Sequence, residues 1–425
     1  MLLFASDRVP VTATMSEFVL GPESFNPRDL PNEFYQDPYA TYARLRDEAP
    51  VLACPDGSYF LTRYADIYAV YRDPRRFSSD KRIQFGPVFG ETSPLFQHHT
   101  TSLVFNDPPL HTRVRKAIGN ALSNRMVVAM RRGLDGLVDE LLAGFEGRTQ
   151  VDLIEDYASA IPVEIVGNLL RVPKHERGPL RRWSLSILGA LEASLDAREL
   201  AQGNASVAEF LEYLEGFVAR RRDDLSDADD DILARLLRWQ GDDGAGLTAN
   251  ELYHQCIFLL NAGHETTTNL IGNGVELLLR YPQQLAQIHS RPELIDVAVE
   301  EMLRFESSNQ LGNRTTAAPA RIGGIAIPAG KVLTLCIGAA NRDPEFFNDP
   351  DAFDVTRDPN PHLAFGAGIH TCAGLNVARL EGKVAISKLF ERYPDITVAQ
   401  PPMRARRARF RGFQQLLVNL SSQSA

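Results

Sequence analysis

The sequence predicts a mainly α-helical domain with a minor β part, and two features of its 425 residues carry that prediction. Alanine-, leucine- and arginine-rich stretches with helical spacing dominate from about 108 to 305, and two helix starts there read as capping boxes. From about 314 the texture changes to short apolar runs broken by Gly and Pro, the pattern of small strands and turns.

Taken in order, residues 1–30 carry Pro, Asn and Asp without periodicity and are expected to form an extended N-terminal arm, leaving 31–425 as a single domain. Tyr39–Arg46 reads as a short helix. Val51–Leu52 and Tyr59–Leu61 flank Asp56-Gly57, a hairpin signal. Val151–Ile154 is a short β stretch within the helical region. Thr248-Ala-Asn-Glu251 is a capping box whose helix runs to Arg280, where Tyr281-Pro282 stops it. At 1.5 Å per residue that helix spans about 48 Å, enough to cross a whole domain. Ser290-Arg-Pro-Glu293 is a second box, opening a helix to Phe305. Short strands are expected within Arg321–Gly330 and Val332–Leu335. The irregular run Asn341–Pro361 is long for a compact domain and implies a job. A last helix covers Ala373 to about Tyr393.

Composition narrows the function. Apolar residues make up 44% and charged residues 23%, ordinary globular values. The net charge of −9 disfavours a general nucleic-acid binder, because phosphate affinity needs a cationic surplus. The run Arg404, Arg406, Arg407, Arg409, Arg411 is therefore set aside as a nucleic-acid site. Cys54, Cys256, Cys336 and Cys372 lie far apart, which disfavours a disulfide framework or structural zinc and makes a reducing cytoplasm the expected location. No apolar run reaches the roughly 20 residues of a membrane span, so no membrane anchor is expected.

One cysteine stands in an unusual setting. Phe365-Gly-Ala-Gly-Ile-His-Thr-Cys-Ala-Gly374 packs three glycines, a His and a Cys into ten residues before a helix. At such a junction, unpaired amides and the helix dipole favour an anion. Ordinary thiols titrate near ~8.5, so metal coordination is the natural way to hold a thiolate there. The glycines would let another object approach the backbone closely. A small buried Cys in a tight turn is the plain alternative for an isolated cysteine.

Phe365, Gly366, Gly368, His370, Cys372 and Gly374 resemble, position for position, the haem-binding loop of the cytochrome P-450 mono-oxygenases. The resemblance implies a triangular helical haem domain with small antiparallel sheets, haem b as cofactor, and Cys372 as its iron ligand. Ala262-Gly263-His264-Glu265-Thr266 is similar to the family's oxygen-side helix signature. There, Gly263 would let the helix pass close to a flat cofactor, while Glu265 and Thr266 would form the acid–hydroxyl pair that handles protons. The competing zinc reading of His264-Glu265 fails at Thr268, where a second His is required.

Other positions follow in family order. Glu301 and Arg304, three apart on a helix, resemble the buried pair that the family joins to a later arginine, here Arg357; the implied role is structural. His111, Arg115, Arg314 and His362 match positions that neutralise the haem carboxylates. One departure is the polar segment Ser307–Gly312, where Asn309 and Gln310 replace usually apolar residues. Phe258, Asn309, Gln310, Leu311 and Phe413 are the candidate substrate-pocket residues, with Gly412-Phe413 at the tip of a hairpin reaching inward.

The resemblance thus implies a bacterial-type monomer that inserts one atom of O2 into a small-to-medium, mainly lipophilic organic substrate. Electrons would come from a ferredoxin and its NAD(P)H-dependent reductase, with Arg113 and Lys116 as candidate docking residues. A haem-thiolate sensor or carrier and a peroxide-driven enzyme are the alternatives. Thr266 and Glu265 favour the mono-oxygenase.

Overall fold

The computed structural model describes residues 18–192, 195–242, 244 and 246–420. Of the expected N-terminal arm, residues 1–17 lie outside the described residues. Residues 18–30 run through turns, and Phe25 and Leu30 are buried in a cluster with Phe34, Tyr42 and Phe60.

The long helix Ala249–Arg280 organises the molecule. Its capping box forms as expected: the Glu251 amide donates to Thr248 Oγ1 at 3.2 Å and the Thr248 amide to Glu251 Oε2 at 2.9 Å. The N-terminal half, through Leu252, Ile257 and Leu260, enters one hydrophobic cluster with Trp183, Phe210 and Leu233. The C-terminal half, through Leu270, Val275 and Leu278, enters another with Leu134, Met302 and Leu389. Between these two anchored halves, Asn261, Ala262, Gly263, Thr266 and Thr267 line a cavity. A second capping box, Asp196 with Glu199, starts the helix Ala197–Asp223 and was not anticipated.

The expected box at Ser290 does not form. Ser290 ends the helix Pro282–Ser290, and its hydroxyl donates to Gln287 O at 2.9 Å. Arg291 is extended (φ −140°, ψ 79°), Pro292–Leu294 makes a 3-10 turn, and the helix proper is Ile295–Phe305. A residue before Pro is pushed out of helical geometry, which separates Ser290 from the turn it was expected to cap.

The main sheet has five strands in the order 51–53, 59–61, 332–336, 311–316, 77–78. Val51–Ala53 and Tyr59–Leu61 form the expected hairpin, with Gly57 at φ +79° in its turn. Tyr59–Leu61 pairs in parallel with Leu333–Leu335, a contact between distant parts of the chain. Smaller sheets join Gln150–Asp152 to Leu417–Asn419 and Met403–Arg404 to Phe413–Gln415. Among the described residues no helix is long and apolar enough to cross a membrane.

The irregular segment 341–361 is held by one buried ion pair. Arg304 clasps Glu301 through two bonds of 2.7 Å, and neither side chain is exposed. The remaining guanidinium hydrogens reach Asn341 O, Pro350 O and Ala352 O at 2.7–3.0 Å. Arg357 Nε approaches Glu301 Oε2 at 3.2 Å, and Asn360 donates to the same oxygen at 3.0 Å. This long loop is therefore fixed by side chains in place of secondary structure.

Candidate active site

The cavity holds about 2050 Å³ of empty space, counting its opening to solvent. The cavity volume proper is about 330 Å³, within the roughly 300–1,000 Å³ usual for ligand pockets. Ala262, Gly263 and Thr266 of the long helix line it together with Phe365, Gly366, His370, Cys372 and Gly374, so the two sequence motifs share one space.

The cysteine loop is shaped by its glycines, each for a different reason. Gly366 has φ +65°, where an L-residue is strained. Gly368 has φ +72°, and a Cβ there would lie 2.2 Å from Tyr71 O; the object that approaches this glycine is the chain's own backbone, contrary to expectation. A Cβ on Gly374, by contrast, would meet no protein atom, because the space beside it is the cavity. Cys372 N donates to Phe365 O at 2.9 Å, which closes the loop. The last helix begins at Leu375, so Cys372 sits just ahead of its cap, Gly374. Burial pushes the Cys372 thiol up, against the Gly374 amide and the charges of Arg115 and Arg379. A metal cation at the sulfur would reverse that balance.

Two imidazoles and two arginines gather near the same loop. His370 and His111 lie 4.1 Å apart between ring centroids. The Nε2 of His370 is buried without a hydrogen-bond partner, and neither ring nitrogen of His111 has a well-formed one. Burial, reinforced by Arg314, His111, Arg115 and Lys81, depresses His370 to about 2. Arg115 and Arg314 line the cavity, and among the described residues neither has a carboxylate in ion-pair contact. Arg314 donates to Asn313 O at 2.8 Å and lies over the Tyr71 ring at 4.9 Å. Buried cations and unfilled ring nitrogens around a thiol-bearing cavity fit a flat cofactor with two carboxylates.

His362 does not belong to this group. It is absent from the cavity wall; its Nε2 lies 3.2 Å from Glu300 Oε2, and its Nδ1 accepts from Ala364 N at 3.2 Å. Glu300, also held by Arg379 through two bonds of 2.7 Å, captures the ring. Lys81, unremarked in the sequence, is 1% exposed, and burial lowers its amine to about 7 beside Arg314 and Arg409.

On the long helix, Thr266 Oγ1 donates to Ala262 O at 2.7 Å, the back-bond expected of a hydroxyl at that place. Glu265 points away from the cavity and pairs with Arg407. Burial is the main reason that its carboxyl is raised to about 7, with the Arg407 charge opposing.

The pocket expectations divide. Phe258 and Asn309 line the cavity. Gln310 turns away, with its Nε2 donating to Ser307 O at 2.8 Å and to Tyr39 OH at 3.2 Å. Leu311 packs on the cluster around Phe25 and Phe60. Phe413 is buried in the main core beneath the Arg404 guanidinium, 3.8 Å from the ring centroid. The loop between strands Met403–Arg404 and Phe413–Gln415 reaches the cavity with Arg409 and Phe410 instead. Glu381, 2% exposed and raised to about 8 by burial, is a further cavity residue that the sequence did not single out.

A thiol loop and a back-bonded Thr lining one cavity with Arg115 and Arg314 define a haem-thiolate protein. Comparison with known proteins agrees. The cytochrome P450 family profile matches residues 196–291 and 289–407. The chain is 40% identical over 370 residues to the vitamin D(3) 25-hydroxylase of Pseudonocardia autotrophica, covering 86% of this chain and 89% of the relative. It is 36% identical over 401 residues to the 6-deoxyerythronolide B hydroxylase of Saccharopolyspora erythraea, covering 92% and 97%. The crystal structure of P450BioI with a ligated acyl carrier protein superimposes with a TM-score of 0.85 at 32% identity, over 92% of this chain and all of that one. The chain belongs to the cytochrome P450 family. It is a haem b-dependent mono-oxygenase that acts on small, mainly lipophilic molecules.

Proposed function

We propose that Cys372 holds the haem iron on one face of the cavity while Thr266 and Glu265 manage protons on the other. The observation that supports this reading is that Cys372 and Thr266 line one cavity together with Arg115, Arg314 and His370. When bound, the haem supplies reductive activation of dioxygen, with one oxygen atom entering the substrate and the other leaving as water. His111, Arg115, Arg314 and His370 would hold its carboxylates.

Thr266 keeps its hydroxyl at the cavity surface, tied to Ala262 O. Glu265 stands behind it, able to carry a proton near neutral pH because its carboxyl is raised to about 7. Arg407, with 22% of its side chain exposed, connects Glu265 toward solvent. Leu188, Leu191, Phe105 and Phe258 give the cavity its apolar lining, which suits a lipophilic substrate such as the vitamin D(3) and 6-deoxyerythronolide B named for the relatives.

Electrons come from a separate ferredoxin and its NAD(P)H-dependent reductase, and the enzyme acts as a cytoplasmic monomer. Arg113 and Lys116, considered as docking residues from sequence, are each already paired, with Glu251 and Asp242 respectively. The test is reconstitution with ferredoxin, reductase and NADH. Thr266→Ala should keep consuming NADH while releasing hydrogen peroxide; full coupling in that variant refutes the proton assignment.

A further inference from the structure

The arginine run near the C-terminus, unexplained by nucleic-acid binding, is almost entirely used up by internal partners. Arg404 bonds Asn273 Oδ1 at 2.7 Å and Glu306 Oε2 at 3.4 Å. Arg407 pairs with Glu265, and Arg406 lies over the Tyr35 ring at 5.5 Å. Arg411 pairs with Glu306 and donates to Tyr35 O and Gln36 O at 2.7 and 2.8 Å.

Arg409 is the exception. Its side chain lines the cavity, and among the described residues its guanidinium has no hydrogen-bond or ion-pair partner. Its backbone is fixed: the amide donates to Glu192 Oε2 at 3.3 Å, the carbonyl accepts from Gln310 N at 2.8 Å, and the next residue bridges Asn309. Glu192 is the acidic group near it, but that carboxylate stays outside ion-pair contact with the guanidinium. The neighbouring charges otherwise are cationic or neutral, including Lys81 and His99. Arg409 is partly buried and burial lowers its basicity, so an anion in the cavity would stabilise a guanidinium that has no counter-ion in contact.

More unpartnered polar atoms face the same cavity. Asn309 Oδ1, Asn261 Oδ1, His98 Nδ1 and His99 Nε2 are all buried without partners, and Asn261 Nδ2 lies 3.4 Å from His98 Nε2. His98, His99 and Asn261 are each no more than 3% exposed. The cavity therefore combines an apolar lining with one cationic anchor and a few neutral hydrogen-bonding groups.

We infer that the substrate is a lipophilic carboxylic acid whose carboxylate is bound by the Arg409 guanidinium. This rests on the mono-oxygenase reading and names the substrate class within it. The planar fork of an arginine can take a carboxylate through two parallel bonds, which fixes orientation as well as position. The apolar body then lies along Phe258, Leu188 and Leu191, and the loop carrying Arg409 sets which carbon faces the reacting centre.

A carboxylate could also come from the haem itself, and the test separates the two sources. Haem-loaded wild type, Arg409→Gln and Arg409→Lys are titrated, by the spin-state absorbance change, with dodecanoic acid, abietic acid and biphenylcarboxylic acid, each beside its methyl ester. The expected result is that at least one acid binds wild type about 10- to 100-fold more tightly than its ester, the range for charged hydrogen bonds. That preference should vanish in Arg409→Gln and partly return in Arg409→Lys, with haem content and the carbon monoxide spectrum unchanged. Esters binding as well as acids, or an acid preference that survives in Arg409→Gln, overturns the proposal. Loss of haem in Arg409→Gln also overturns it, by making Arg409 a cofactor partner. In each of these cases a thiolate-type carbon monoxide spectrum in wild type would leave the mono-oxygenase reading standing.

Discussion

Glu306 and Arg411, separated by 105 positions in the chain, form a buried ion pair that joins three parts of the fold. Glu306 ends the helix Ile295–Phe305, and Arg411 lies in the C-terminal loop beside the cavity. The same carboxylate accepts from Tyr39 OH at 2.9 Å, and Arg411 also binds the backbone at Tyr35 and Gln36. The loop that presents Arg409 is thus braced from beneath by charge. Despite burial, Arg411, Arg404 and Arg342 hold the Glu306 carboxyl down at about 2.

From this follows a pH prediction. A carboxylate held below its ordinary value binds fewer protons folded than unfolded, so its stabilisation is present above about 4.5 and is lost as pH falls toward about 2. Glu306→Gln should lose about 3–5 kcal/mol at neutral pH, since it strands Arg411 and Arg404. Denaturant melts at pH 7 and pH 3 would check this: the difference between variant and wild type should shrink at the lower pH.

Glu301→Gln or Arg304→Met should cost a similar amount, about 3–5 kcal/mol, because each leaves a fully buried charge without its partner. Arg357→Ala should cost less, as its guanidinium is partly exposed. Thermal melts and haem content after purification would rank the three. Equal losses for all three would contradict the ordering of burial.

The correction at His362 is testable against His370. His370→Ala should speed haem transfer to apomyoglobin by about 10- to 100-fold, the range for one charge-assisted hydrogen bond. His362→Ala should leave that rate nearly unchanged while lowering the melting temperature, because its partner is Glu300.

Glu265 should set an alkaline limb. Its carboxyl is raised to about 7, so the proton-bearing form declines as pH passes that value. Product formation per NADH should fall through the same range in wild type. Glu265→Gln should lose that limb and run roughly 10²-fold slower, the lower end of general acid–base contributions.

Cys372→Ser should keep the fold and cavity but remove the sulfur ligand. Its reduced carbon monoxide complex should lose the thiolate-type absorption, and turnover should stop. Far-ultraviolet circular dichroism close to wild type would separate this from unfolding.

Much of the site was legible because it is written in short local patterns. Six positions of the cysteine loop fix one backbone path, and the Glu301–Arg304 spacing puts both on one helix face. The long helix was legible at both ends, since a capping box opens it and Tyr281-Pro282 stops it near Arg280. What stayed hidden depends on which side of a strand or loop faces inward. Asn309 and Gln310 are adjacent amides, and nothing local says that Asn309 meets the cavity while Gln310 bonds Ser307 and Tyr39. The family resemblance put Gly412-Phe413 at the tip of the inward hairpin, yet the register with Met403–Arg404 sends Arg409 and Phe410 there. His362 was misread because its captor, Glu300, is distant in sequence.

The parallel pairing of Tyr59–Leu61 with Leu333–Leu335 has a consequence for synthesis on the ribosome. The first hairpin emerges early, but its partner strand is made about 270 residues later. At roughly 5–20 residues per second that delay is roughly 14–55 s. Throughout it, Phe60 and Leu61, which are 1% and 0% exposed once folded, have Val51–Ala53 on one side but lack the strand that covers the other edge. Slowing translation cannot shorten that interval, so yield of soluble protein should respond to chaperone supply during those seconds more than to the strength of the finished core.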